Sequence, residues 1–185
     1  MARFTPCAVV VVVSLLANSS CQTSRPISNM FGSSPPVLVE NLALLSANPG
    51  PGHNVEDIYI NSHGKLWVRT ANLGDRTESR YLLNLDAADL TKLTQTIEEH
   101  DFLTLTLPFT EGYTDEPWLR LAVKFANGSE RVVGKWAAHS EKDFDAIAAF
   151  VENFAERAKA NEPVFAGPLD LEWQPPDMSL KIMQR

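Results

Sequence analysis

From residue 55 onward, apolar and polar positions alternate or recur in the order expected of a small α+β domain. Val55 to Ile60 and Lys65 to Thr70 are rich in β-formers and are separated by the turn residues Asn61-Ser62-His63-Gly64, so they predict a hairpin. Arg80 to Leu85 predicts a third strand. Asp86, with Asp89 three residues on, predicts a helix cap, and Ala87, Leu90, Leu93 and Ile97 fall on one helical face through His100. Trp118 to Phe125 alternates strictly, with Leu119, Leu121, Val123 and Phe125 on one face. Asn127-Gly128 then predicts a two-residue hairpin turn, and Glu130 to Ala137 the returning strand. Ser140 with Asp143 predicts the cap of a second helix, whose stripe is Phe144, Ile147, Ala148, Val151, Phe154, Ala155 and Ala158. Both helices carry a wide apolar face and the strands one, which predicts an antiparallel sheet of four to five strands with two helices packed on one face.

The flanks read differently. A single charge, Arg3, precedes an apolar run from Ala8 to Ala17, which is followed by small and polar residues up to Cys21. These are the parts of a secretory signal, and the run is too short to span a membrane. Residues 1–20 are therefore expected to be a signal peptide. Leu15-Leu16-Ala17-Asn18-Ser19-Ser20-Cys21 resembles a bacterial lipoprotein signal, which implies lipidation of Cys21 and a membrane anchor at the cell envelope. Asn18 departs from that pattern, which has leucine three positions before the cysteine. Ordinary cleavage after Ser19 or Ser20 is the alternative. Residues 21–53 are rich in Ser, Asn, Pro and Gly and predict a lipid-anchored flexible tether, within which Val37 to Ala47 is apolar enough to dock as a strand or helix. Residues 54–161 form the domain. Residues 162–185 form a tail with four prolines that is expected to be extended and partly packed on it.

Composition narrows the chemistry. The 185 residues are 44% hydrophobic and 21% charged, which suits one domain with a core and excludes a disordered or disulfide-dense chain. The net charge of -7 argues against broad nucleic-acid binding, and removing residues 1–20 takes away only one basic residue, Arg3. Of the 2 cysteines, Cys7 lies in the signal, so the exported chain would hold no internal disulfide, Cys-rich zinc cluster or CxxC pair. Two acyl chains on Cys21 would give stable anchoring where one is marginal.

A two-residue turn at Asn127-Gly128 would pair Lys124 with Arg131 and Arg120 with Lys135, setting four cations on the face opposite Leu121 and Val123. Such a face would suit a protein partner or an anionic envelope polymer. Its competitor is a solvated sheet face neutralised by Glu56 or Asp57. Trp67 and Trp118 are candidates for stacking on a sugar or peptide, whereas Trp136 is expected in the core. Three carboxylates, Glu111, Asp115 and Glu116, share one loop that does not fit an EF-hand. His53, His63, His100 and His139 are scattered, with no HExxH, and no GxSxG, Walker A loop or SxxK is present, so neither a metal nor a cofactor nor an enzyme active site is expected.

The stretch from Val55 to Ala158 resembles a group of small bacterial secreted domains of unknown function. The likeness rests on Ile58, Ile60 and Gly64 in the first hairpin, Leu90-x-x-Leu93, Phe102-Leu103, Asp115, and the Asn-Gly hairpin before a closing helix. The early Cys-Pro motif of those domains is missing. The same element order is similar to the emfourin family of metallopeptidase inhibitors, which implies inhibition of a protease as an alternative function. Neither resemblance assigns a functional residue here. The expected function is a membrane-anchored envelope lipoprotein with a non-enzymatic binding or scaffolding domain.

Overall fold

The computed structural model describes residues 38–47, 54–107, 116–178 and 180. The expected signal segment, Cys21, His53 and most of the acidic loop before Glu116 lie outside the described residues. The class is α+β. Seven strands form one antiparallel sheet: β1 (Val39–Ala47), β2 (Asn54–Asn61), β3 (Lys65–Asn72), β4 (Thr77–Asn84), β5 (Trp118–Phe125), β6 (Glu130–Trp136) and β7 (Phe165–Pro168). Helices α1 (Ala87–Glu99) and α2 (Lys142–Lys159) complete the elements among the described residues. The spatial order is β6-β5-β1-β2-β3-β4-β7.

The expectation of four to five strands falls short by β1 and β7. Strand β1, placed by sequence within the tether, is an interior strand, flanked by β2 and β5. Its residues are buried on both sides: Leu42 and Leu44 face the helices, while Ala43 and Leu45 face the other way. A strand covered on both faces reads as a continuous apolar run and loses the alternation that marks a half-covered one. A bulge at Glu40 shifts its register against β5 between Val39 and Asn41. Strand β7 is only four residues long and carries Gly167 and Pro168, composition that predicts a loop. It pairs with the edge of β4 from Arg80↔Phe165 to Thr77↔Pro168.

Both helices pack on one face, as the apolar stripes imply. The seven stripe positions of α2, from Phe144 to Ala158, are all buried. They meet Ile58, Ile60, Leu66, Val68, Leu121 and Val123 from the sheet, together with Leu93 and Ile97 of α1. Asp86 caps α1 by accepting a hydrogen bond from the Asp89 amide at 2.8 Å. Ser140 does not cap α2. The Asp145 carboxylate reaches back from the first turn instead and accepts from the Glu141 amide at 2.8 Å. Gly64 holds the β2–β3 turn at φ 74°, and a Cβ there would stand 2.5 Å from the Leu85 carbonyl oxygen, so the site admits only glycine.

The β5–β6 hairpin forms, but not with the two-residue turn expected. Phe125 donates to Ser129 O at 2.9 Å and Gly128 to Phe125 O at 2.8 Å, which closes a three-residue loop. A two-residue type I′ turn needs positive φ at both central positions, and here only Gly128 has it, at 83°. The register therefore moves by one residue: Lys124 pairs with Glu130, Arg120 with Gly134, and Trp118 with Trp136. A one-residue slip sends every β6 side chain to the opposite face.

Candidate binding surfaces

That slip divides the four candidate cations between the two faces. Arg131 and Lys135 pair with Val123 and Leu119 and so point toward the helices. Arg131 donates to the Leu105 carbonyl at 2.6 Å. Lys135 is buried, with its ammonium 2.5 Å from Asp145 and donating to the His139 carbonyl at 2.5 Å. Burial opposes the Asp145 charge, but hydrogen bonds from Lys135 and the Glu141 amide outweigh it and hold the carboxyl below its ordinary range. Arg120 and Lys124 stay on the other face. The Arg120 guanidinium lies 4.4 Å from the Trp118 ring centroid, and Lys124 pairs with Glu40 at 3.3 Å. The expected single face of Arg120, Lys124, Arg131 and Lys135 does not form. Each cation instead has a local partner: a carboxylate, a carbonyl or an aromatic ring.

Trp136 is buried as expected, yet it stands on the face away from the helices, opposite Trp118. Trp67 lies on that same face but is not open for stacking, because the tail lays Trp173 against it at a centroid distance of 5.9 Å, edge to face. Cys21 lies outside the described residues.

The structure assembles two surfaces that sequence patterning did not. The first is on the face away from the helices. Cross-strand pairing aligns Asp57, Arg69 and Arg80 in one row and Tyr59 and Trp67 in the next. Arg69 opposite Arg80 would repel, but the buried carboxylate of Glu78 separates their charges. Arg69 Nε donates to Glu78 Oε2 at 2.7 Å and Arg80 Nε to Glu78 Oε1 at 2.6 Å. Asp57, 2% exposed, lies 3.9 Å from Arg69. The tail closes over this group as a strap. Arg69 donates to the Asp170 carbonyl at 2.5 Å, and the Asp170 carboxylate lies 3.6 Å from Arg80. Trp173 covers Arg80 at 4.5 Å and meets Tyr59 edge-on at 6.1 Å. Met178 and Leu180 extend the cover over Ala43, Leu45 and Ala122. Asp57, Arg69, Glu78 and Arg80 carried one legible signal: charges at strand positions whose neighbours are buried.

The second surface is open. Between α1 and the ends of β1 and β2 lies a cleft of about 740 Å³. Its apolar walls are Leu38, Val39 and Ile60 on the sheet side and Leu90 and Leu93 on the helix side, and its polar lining combines Thr91, Thr94 and Gln95 with the acidic residues Glu40 and Glu98. It arises because α1 is short and buries only Leu93 and Ile97 fully, leaving Leu90 half covered. Such a volume sits within the roughly 300–1,000 Å³ of small-molecule sites, as does the mixture of apolar wall and a few polar groups.

No group of three or more His, Cys, Asp or Glu that could hold a metal occurs among the described residues. No helix among the described residues is long and apolar enough to cross a membrane. The sequence matches no family model and no curated protein.

Proposed function

We propose that the chain is an exported, non-enzymatic binding protein, held at a bacterial envelope membrane by lipid on Cys21, and that its domain takes an apolar small molecule in the cleft beside α1. The observation that carries this reading is the cleft itself: a concave, largely apolar space with hydroxyl, amide and carboxylate groups in its polar lining. Those groups suit a ligand with an apolar body and a polar end that donates hydrogen bonds and is not anionic. The conspicuous titratable cluster, Asp57, Arg69, Glu78 and Arg80, is engaged in fastening the strap, which favours a structural use of those charges over acid–base chemistry. Sixteen residues lie between Cys21 and Leu38 at the lip of the cleft, so an anchored chain would keep that opening within reach of the membrane surface.

Two measurements test the reading. Growth with a palmitate analogue is expected to label the full-length chain, and Cys21→Ser to abolish labelling; equal labelling of both would refute the anchor. Native mass spectrometry of the protein extracted from its envelope is expected to show a bound small molecule released unchanged. Its turnover to a new species during incubation would replace the binding reading with an enzymatic one.

A further inference from the structure

The strap and the surface beneath it are built to different standards. The receiving side is made by the sheet, and its charge lock is made without any contact from the strap. Arg69 and Arg80 are both held by Glu78 through hydrogen bonds made entirely within β3 and β4. The strap is attached more lightly. Val164 and Phe165 remain 57% and 36% exposed and Leu171 73%, and the side chain of Asp170 is half open to solvent. Its fit is also incomplete: the Trp67 indole N–H is buried with no hydrogen-bond partner among the described residues. A preorganised receptor with an imperfect occupant favours exchange, because a competitor need not bear the cost of ordering the site.

We propose that this surface is a receptor for an extended peptide of a partner protein, with a carboxylate three residues before an aromatic ring, and that the chain's own Asp170-Leu171-Glu172-Trp173 occupies it in the resting state. The chemistry follows from the contacts. The peptide carbonyl and carboxylate at the acidic position meet Arg69 and Arg80, and the backbone N–H there donates to Glu78, as the Asp170 amide does at 3.3 Å. The ring enters the slot formed by Tyr59, Trp67 and Arg80. Residues before the acid add to the edge of β4 in place of β7, a strand-addition mode in which main-chain bonds give affinity and side-chain pockets give selectivity. An acceptor on the incoming peptide would also satisfy the Trp67 N–H.

Hydrogen exchange on the unmodified protein is the first test. The amides of Val164 and Leu169, which bond to Arg80 and Arg76 carbonyls, are expected to be at least about 100-fold less protected than those of β2 and β3, as a locally opening segment requires. Equal protection would overturn the proposal by making the strap an integral part of the core. The second test is fluorescence anisotropy with a labelled peptide that keeps the Asp-x-x-Trp spacing in unrelated flanks. Trp173→Ala is expected to bind it at least about tenfold more tightly than the unmodified chain, and the further change Arg80→Ala to remove the gain. No binding by Trp173→Ala, or equal binding of a peptide with Ala for Trp, would refute it. A concentration-dependent dimer held by exchanged straps would name a second copy, not a partner protein, as the occupant and would also overturn it.

Discussion

The two faces of one sheet are closed by different physics. On the helix side, α1 and α2 cover a continuous apolar layer in which Phe144, Val151 and Leu121 have no exposed surface. On the strap side, a tail with little regular structure is held by arginines, one shared carboxylate and a tryptophan. A helical cover gains stability roughly in proportion to buried area and does not depend on exact placement of polar atoms. The strap depends on a few directional contacts, so single polar substitutions should loosen it more readily than they loosen the helical cover. The cleft beside α1 is where the helix side leaves its own layer unfinished.

Breaking the helix side should have the largest effect. Phe144→Ala is expected to lower unfolding stability by about 4 kcal/mol in urea titrations, since it removes a fully buried ring from a close-packed core. Breaking the charge lock comes next. Glu78→Gln leaves Arg69 and Arg80 adjacent with no anion between them and should cost about 3 kcal/mol by the same measurement. A loss as large as that of Phe144→Ala would place the lock on a par with the core. Trp173→Ala should cost about 2 kcal/mol, less than for a ring enclosed on all sides, because this one remains partly exposed.

The smallest effect sharpens how the helices are joined. Arg157 and Asp89 form a two-pronged pair at 3.0 and 3.1 Å between α2 and α1. The hydrogen bond from Arg157 is the main cause holding the Asp89 carboxyl below its ordinary range, against the opposing effect of burial. A folded-state value below the unfolded one adds stability at neutral pH that is lost as the carboxylate is protonated. Asp89→Asn should therefore cost about 0.5 kcal/mol at pH 7, with the difference vanishing as pH falls below about 4. A difference that persisted at pH 2 would show that Asp89 acts by packing and not by charge.

Strongly periodic elements were the legible ones. The α2 stripe and the β2–β3 hairpin follow directly from apolar spacing and turn residues. What escaped had physical reasons. Strand β1 is covered on both sides and shows no alternation. Strand β7 is stabilised by β4 and by Arg80 beneath Phe165, at 4.3 Å from its ring, and not by its own composition. The basic face at Arg120, Lys124, Arg131 and Lys135 rested on one turn type; with positive φ at Gly128 alone, the register moved by one residue and divided the cations. The charged row under the strap joins residues from β2, β3, β4 and the tail, so only the completed sheet reveals it. The cleft is a matter of how far α1 fails to cover its neighbours, which spacing does not encode.

The open cleft, and not the closed strap face, is proposed to bind a small apolar ligand. The direct measurement is fluorescence titration of the full chain with the neutral apolar probe N-phenylnaphthylamine, beside a Thr94→Trp variant that fills the cleft from its rim. Saturable binding by the unmodified chain, weakened at least about tenfold in Thr94→Trp with an unchanged unfolding midpoint, is the predicted result. No saturable binding, or equal binding by both proteins, would contradict it.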